Sequence, residues 1–362
     1  MKKKLIGIIN SGGDCSGINA VISAVVRTGL SLGEYEFVGF YKGWEGLLSP
    51  MNYIKLDGNN IRGISHLGGT ILQTVNKGRF AGRKGAGDLN LIPEEILKEA
   101  KDNAEKIGLD SLIVIGGDGT LSAALQLYDF GVNMVGVPKS IDNDLESTAM
   151  TFGFQTAVDI VSDALRKIDS TASSHNRVMI VETMGRYTGW IALYGGIGGG
   201  AQMILLPEIP YSTEKIVEYL RQRKVTGLNA TIIVIGEGAI EKGGSISTDG
   251  IKASEVRFAG ASDYLMKRIE QIAPEEFEMR NVVLGHLQRG GETSPQDKIL
   301  SFRYGVAAMH AIHRREFGNM VRLSKGEISS VPIKEAVQGL KKVKPDSELV
   351  KVAKDIGISF GD

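Results

Sequence analysis

The chain has 362 residues, enough for two domains and a large buried core. Lys+Arg and Asp+Glu each number 42, so the net charge is zero. That balance excludes a general attraction to nucleic acid or to an anionic membrane surface, while leaving local basic pockets open. With 42% hydrophobic and 23% charged residues, the composition is that of a soluble globular protein. A single cysteine, Cys15, allows no intrachain disulfide and suits a reducing cytosol. The start MKKKLIGIINSGG is basic, but its apolar run is too short and too glycine-rich for a signal peptide. No apolar stretch reaches the roughly 20 residues of a membrane span, so the cytoplasm is the expected location.

Glycine is the compositional outlier, 47 of 362 residues, or about 13% against a usual level near 7%. The glycines gather where apolar runs end. LIGII (5–9), LIVI (112–115), MVGV (134–137), RVMIV (177–181), MILL (203–206), TIIVI (231–235) and NVVL (281–284) read as strands buried on both faces. Most lead through glycine and a polar cluster into a helical segment, such as INAVISAVVRTGL (18–30) or LSAALQLYDF (121–130). The alternation predicts a parallel-sheet α/β fold whose ligands collect beyond the carboxyl ends of the strands. Strand–helix units resume after TFGFQTAVDIVSDAL (151–165), which places a domain boundary near residue 153. GAIEKGGSISTDGIKASE (238–255) reads as a surface excursion and GLKKVK (339–344) as a solvated face.

Five segments bear chemistry. NSGGDCSGIN (10–19) stands between a strand and a helix, where adjacent glycines let backbone N–H groups approach an anion. The alternative is a tight turn capped by Asp14 or Ser16. VIGGDGTL (114–121) repeats the arrangement, with Asp118 flanked by glycines that open its carboxylate to a ligand or Mg²⁺. GGDGT also occurs in NAD kinases and diacylglycerol kinases, so this motif points to phosphoryl transfer without naming the acceptor. In GVPKSIDNDL (136–145), one of Asp142 and Asp144 could take a proton from an attacking hydroxyl while the other orients it or acts through metal. An Asx-turn is the alternative there. ETMGRYTGW (182–190) carries Arg186, and RNVVLGHLQRGG (280–291) carries Arg280, His286 and Arg289. With Arg177 these form a set of guanidinium groups at strand ends, suited to a phosphate ester. Surface ion pairs and a core histidine are the competing reading.

In this order, from residue 5 to about residue 310, the five segments resemble the phosphofructokinase family. The resemblance implies two Rossmann-like α/β domains, each a mostly parallel sheet flanked by helices, with catalysis between them. It implies transfer of a phosphoryl group to the 1-hydroxyl of fructose 6-phosphate, with Mg²⁺ and ATP as donor. Residues 1–153 plus about 288–338 would form the donor domain, and 154–287 plus about 339–362 the sugar-phosphate domain. By motif position Asp142 is the base, Ser140 touches the transferring phosphoryl group, Asp144 is its acidic neighbour, and Arg186 joins this catalytic set. Asp118 serves Mg²⁺, while Gly13, Gly119, Thr120 and Lys139 belong to the donor site. Met184, Gly185, Arg186, Glu237, His286 and Arg289 hold the sugar phosphate. Arg177 and Arg280 match positions that reach across a subunit interface, so a homo-oligomer, dimer or tetramer, is expected.

The chain also departs from the family. Asn76 stands where an arginine commonly bridges donor and acceptor phosphates, with Lys77 and Arg79 as substitutes nearby. Cys15 replaces a common alanine. Ser23 and Gln202 fall about where allosteric bacterial members carry charged effector contacts. Gly119 is the residue of ATP users, whereas Lys139 is that of pyrophosphate users. The mixture resembles a subgroup in which the glycine accompanies ATP use, because an aspartate beside Asp118 would block the nucleotide while a lysine can swing away. A pyrophosphate-dependent phosphotransferase is the alternative activity, and a non-catalytic sugar-phosphate-binding protein the alternative class.

Overall fold

The structure is a computed structural model that describes residues 3–76, 78–81, 90–244 and 260–362. The chain forms two compact units, Met1–Thr156 with Arg289–Leu340, and Ala157–Gln288 with Lys341–Asp362.

The first unit starts with β1 (Lys4–Asn10), α1 (Ile18–Leu32), β2 (Tyr35–Phe40), β3 (Tyr53–Leu56) and α2 (Glu94–Lys106). It continues with β4 (Leu109–Gly116), α3 (Asp118–Asp129) and β5 (Met134–Pro138), after which α4 (Phe154–His175) begins. The second unit contains β6 (Val178–Thr183), α5 (Trp190–Gly199), β7 (Met203–Leu205), α6 (Thr213–Val225), β8 (Thr231–Gly236), α7 (Ala261–Ile272) and β9 (Met279–Val283). Then α8 (Pro295–His313), β10 (Asn319–Ser324), β11 (Glu327–Pro332) and the short α9 (Ile333–Ala336) return to the first unit, and α10 (Glu348–Asp355) closes the second.

Seven strands make the sheet of the first unit, in the order β11-β10-β5-β4-β1-β2-β3. Its four inner pairings are parallel, and only β2–β3 and β10–β11 at the edges are antiparallel. The second unit has a four-stranded, wholly parallel sheet, β7-β8-β6-β9. All seven apolar runs are strands, and the expected α/β class holds. The edge strands were not legible, because β3 and β11 bury few residues and mix polar with apolar side chains.

Strand order explains where a ligand can sit. From β1 the chain moves outward to β2 on one side, and β4 later pairs with β1 on the other. This reversal opens a crevice beyond the carboxyl ends of β1 and β4. Those ends are level, since Asn10 pairs with Ile115. Behind them, Ile9, Val38, Phe40, Leu112 and Val114 form a closed core, each contributing about 1.5–3 kcal/mol by leaving water. Gly17 makes the turn into α1 with φ of 105°, where a Cβ would lie 2.5 Å from Ser301 Oγ and 2.8 Å from Phe152. Only glycine fits both the conformation and the space.

The second core packs Val178, Ile180, Leu205, Ile233 and Ile235 against Leu220 and Leu265. The GLKKVK segment is only partly a solvated face: Lys342 and Lys344 are exposed, but Val343 is buried between them. From residue 245 to 255 the expected surface excursion lies outside the described residues. Among the described residues no helix is long and apolar enough to cross a membrane.

Candidate active site

Beyond the carboxyl ends of β1 and β4 lies a cavity of about 230 Å³. Its wall brings together Gly12 and Gly13 after β1, Asp118, Gly119 and Thr120 after β4, and Lys139, Ser140, Asp142 and Asp144 after β5. Three segments far apart in sequence therefore meet at one place.

Asp118 opens α3 and lines the cavity at that helix's N-terminus, where the helix dipole favours anions. Asn143 anchors the IDND turn. Asn143 adopts φ of 50° and its side-chain oxygen accepts the Thr151 amide at 3.0 Å. Thr151 Oγ1 donates to the Ser140 carbonyl at 2.6 Å. The Asn143 side chain thus ties the turn to a residue eight positions on, and Asp142 and Asp144 line the cavity. Ser140 Oγ donates to Asp144 Oδ1 at 2.7 Å and accepts the Asp142 amide at 3.2 Å. Enclosure by the protein, then the charges of Asp142 and Asp118, push the Asp144 carboxyl up to about 7, against the opposing bond from Ser140.

Lys139 is buried, with 5% of its surface exposed, and its Nζ donates to the Gly13 carbonyl. Burial pulls its pKa down, with Arg289 adding to that and nearby Cys15, Asp14 and Asp144 opposing it. The side chain is tied to the first glycine loop. Arg289, expected with the sugar phosphate, lines this cavity too, and its Nη1 donates to the Asp14 carbonyl at 3.0 Å. Two cations are thus anchored on consecutive carbonyls of one glycine loop.

Asn76 lines the same cavity. Of its two proposed substitutes, Lys77 lies outside the described residues. Arg79 is held elsewhere, pairing with Glu45 and Glu99, each at 3.3 Å. Sequence reasoning missed Trp44 and Phe80, whose rings stack at 4.8 Å between centroids and 20° between planes on the cavity wall. Trp44 Nε1 is buried and has no hydrogen-bond partner among the described residues. Two aromatics beside glycine, in GWEG and GRFAG, were the only signal.

In the second unit, Met184, Gly185 and Arg186 follow β6, Glu237 follows β8, and His286 follows β9, so all five lie at the carboxyl edge of one sheet. The Met184 amide donates to Gln288 Oε1 at 3.2 Å. Gly185 has φ of 126°, and a Cβ there would sit 2.6 Å from the Thr188 carbonyl oxygen. Arg177 precedes β6 and Arg280 is the second residue of β9, which puts both at the opposite edge. Glu278, another residue missed in the sequence, bonds both: Arg177 Nη2 at 2.6 Å and Arg280 Nη2 at 3.3 Å. A strand of six residues separates the two groups by roughly 20 Å. The structure does not bring these arginines together with Arg186 and His286 within one chain.

The two uncharged residues at the effector positions are engaged within the fold. Ser23 is 1% exposed, inside the α1 packing. Gln202 spends its amide on the Gly200 carbonyl and the Ile232 amide.

Among the described residues, no three His, Cys, Asp or Glu side chains converge as a closed metal site. Asp118, Asp142 and Asp144 nevertheless supply hard oxygen donors in one cavity, where burial and then the charges of Asp142 and Asp118 raise the Asp144 carboxyl. A divalent cation that keeps part of its shell for phosphate oxygens and water fits this donor set.

Residues 5–312 match the phosphofructokinase family. The chain is 45% identical over 361 residues to an ATP-dependent 6-phosphofructokinase of Chloroflexus aurantiacus, covering 100% of this chain and 99% of that protein. It is 41% identical over 362 residues to a pyrophosphate–fructose 6-phosphate 1-phosphotransferase of Streptomyces coelicolor, covering 98% and 99%. Among solved structures, a phosphofructokinase of Saccharomyces cerevisiae aligns with a TM-score of 0.78 at 29% identity, over 93% of this chain and 45% of that longer one. This chain belongs to the phosphofructokinase family.

Proposed function

We propose that the chain is an ATP-dependent 6-phosphofructokinase. It moves the γ-phosphoryl group of ATP to the 1-hydroxyl of fructose 6-phosphate, yielding fructose 1,6-bisphosphate and ADP. The observation that carries this reading is one cavity holding two glycine loops, the Asp142–Ser140–Asp144 cluster and an aromatic wall at Trp44 and Phe80. An aromatic wall with a buried indole N–H suits a purine base, which pyrophosphate lacks.

In this reading Asp142 takes the proton from the attacking hydroxyl. The new bond forms between that oxygen and the γ-phosphorus as the β–γ bridging bond breaks, and the charge leaves on ADP. Lys139 and Arg289, fixed on the Gly13 and Asp14 carbonyls, set positive charge beside the phosphates. Asp118 would hold a magnesium ion, which would supply charge neutralisation to the donor when bound. The first unit serves the donor, and the carboxyl edge of the second, through Met184, Gly185, Arg186, Glu237 and His286, serves the sugar phosphate. Arg177 and Arg280 serve the site of a neighbouring copy, which makes the working form a homo-oligomer. Its substrates are small, soluble phosphates, in keeping with the cytoplasm.

Lys139 favours a second reading, a pyrophosphate-dependent phosphotransferase. Fructose 1,6-bisphosphate formation, measured with ATP and then with pyrophosphate, separates the two. Turnover with ATP at least tenfold above pyrophosphate is expected. Turnover with pyrophosphate alone would reverse the donor assignment.

A further inference from the structure

Residues 67–75 cross beside the first glycine loop, and two buried asparagines hold them there. Asn10, at the end of β1, is 0% exposed; Asn19, in the first turn of α1, is 1% exposed. Neither lines the cavity. Asn19 Nδ2 donates to the Leu67 and Gly68 carbonyls at 3.1 and 3.4 Å, and its Oδ1 accepts the Ile71 amide at 2.8 Å. Asn10 Nδ2 donates to the Gln73 carbonyl at 2.8 Å, and its Oδ1 accepts from Thr70 Oγ1 at 2.8 Å. Gln73 needs this support, because its φ of 58° lies in the left-handed region that a glutamine rarely adopts.

The pinned segment then acts on the glycine loop. Thr74 Oγ1 donates to the Gly12 carbonyl at 2.6 Å, and the Gly12 amide donates to the Val75 carbonyl at 3.2 Å. Both backbone polar groups of Gly12 are therefore committed to this segment. Its next residue, Asn76, enters the cavity wall.

We propose that Asn10 and Asn19 are positioning residues for the phosphoryl donor. They touch no ligand; they set the 67–75 segment, which sets the backbone of Gly12 and Gly13 and the placement of Asn76. This inference rests on the reading of the cavity as the donor site.

Asn19→Asp tests it. The substitution preserves shape and the acceptor for Ile71, but turns an oxygen toward the Leu67 and Gly68 carbonyls. Thr74→Val, which deletes one hydrogen bond, covers the case in which Asn19→Asp fails to fold. The KM for ATP should rise about tenfold in Asn19→Asp and about threefold in Thr74→Val, while the KM for fructose 6-phosphate stays within twofold. A purely structural role would lower the melting temperature without this split. An unchanged donor KM in the folded variants, or an equal rise in both KM values, would overturn the proposal. If the wild type uses pyrophosphate alone, the ATP reading fails by itself. The same shift in the pyrophosphate KM would still uphold the positioning role.

Discussion

Ser140 gives its hydroxyl hydrogen to Oδ1 of Asp144 across 2.7 Å, and its oxygen accepts the Asp142 amide at 3.2 Å. A neutral side chain thus stands between two carboxylates of one cavity and treats them differently. It braces the backbone of one and stabilises the charge of the other. Burial first, and then the like charges of Asp142 and Asp118, raise the Asp144 carboxyl. In the proposed reaction Asp142 is the base.

Asp142→Asn removes the base and little volume. Its kcat should fall roughly 10²–10⁴-fold, the usual contribution of a positioned base. The KM for ATP should stay within twofold, because the cation-and-glycine cradle is intact. Steady-state kinetics with both substrates varied check this, and a kcat near that of the wild type would remove Asp142 from the chemistry.

Asp144→Asn should stabilise the metal-free protein at high pH. A carboxyl whose folded pKa is raised favours folding only while protonated. Its ionisation costs stability as pH climbs from the unfolded value, 3.8, to about 7. The melting temperature of the variant, with chelator present, should exceed that of the wild type by about 2–4 °C at pH 8, the effect of ~1 kcal/mol. The two should converge near pH 4. A constant difference across that range would show that the gain is unrelated to titration.

Gly119→Asp sets a second carboxylate beside Asp118 on the cavity wall, which is the donor site in the proposed reading. The kcat/KM for ATP should drop roughly a hundredfold through repulsion of the nucleotide phosphates. Binding of fructose 6-phosphate, measured by calorimetry without nucleotide, should be unaffected. Equal losses on both sides would displace the donor site from this cavity.

Cys15 should be inert in the native protein. It is fully buried, its Sγ donates to the Phe152 carbonyl at 3.8 Å, and burial pushes the thiol up to about 12, against the lowering effect of Lys139. An aromatic disulfide reagent at pH 8 should label it only after denaturation, one thiol per chain, since the thiolate is the reactive form. Fast labelling of folded, active protein would contradict the packing around the first glycine loop.

Much of the fold can be read along the chain. LIVI (112–115) and MVGV (134–137) are apolar at every position, because helices cover both faces of a parallel strand. EISSVP, the edge strand β11, carries no such continuous run, since it has a neighbour on one side only and three of its residues are exposed. The same distinction governs the cavity. Glycine loops after strands, and aspartates beside them, are neighbours in sequence as well as in space.

The contacts that shape the cavity are of the other kind. Arg79 looked available to replace an arginine at position 76, yet Glu45 and Glu99, 34 and 20 residues away, hold it. Trp44 and Phe80 meet across 36 positions, the difference of their residue numbers. Asn19 reaches residues 48 to 52 positions ahead.

By itself, the sequence determined the α/β class, the glycine turns and the pair of carboxylates, because backbone freedom and strand burial are local properties of the residues concerned. Only the tertiary structure decided what those groups touch. It tied Lys139 to the Gly13 carbonyl and Arg289 to the Asp14 carbonyl, and set Arg177 and Arg280 at the edge of their sheet opposite Arg186. The physical reason is that side-chain partners are chosen by packing across the fold, and packing brings together residues that no local pattern links.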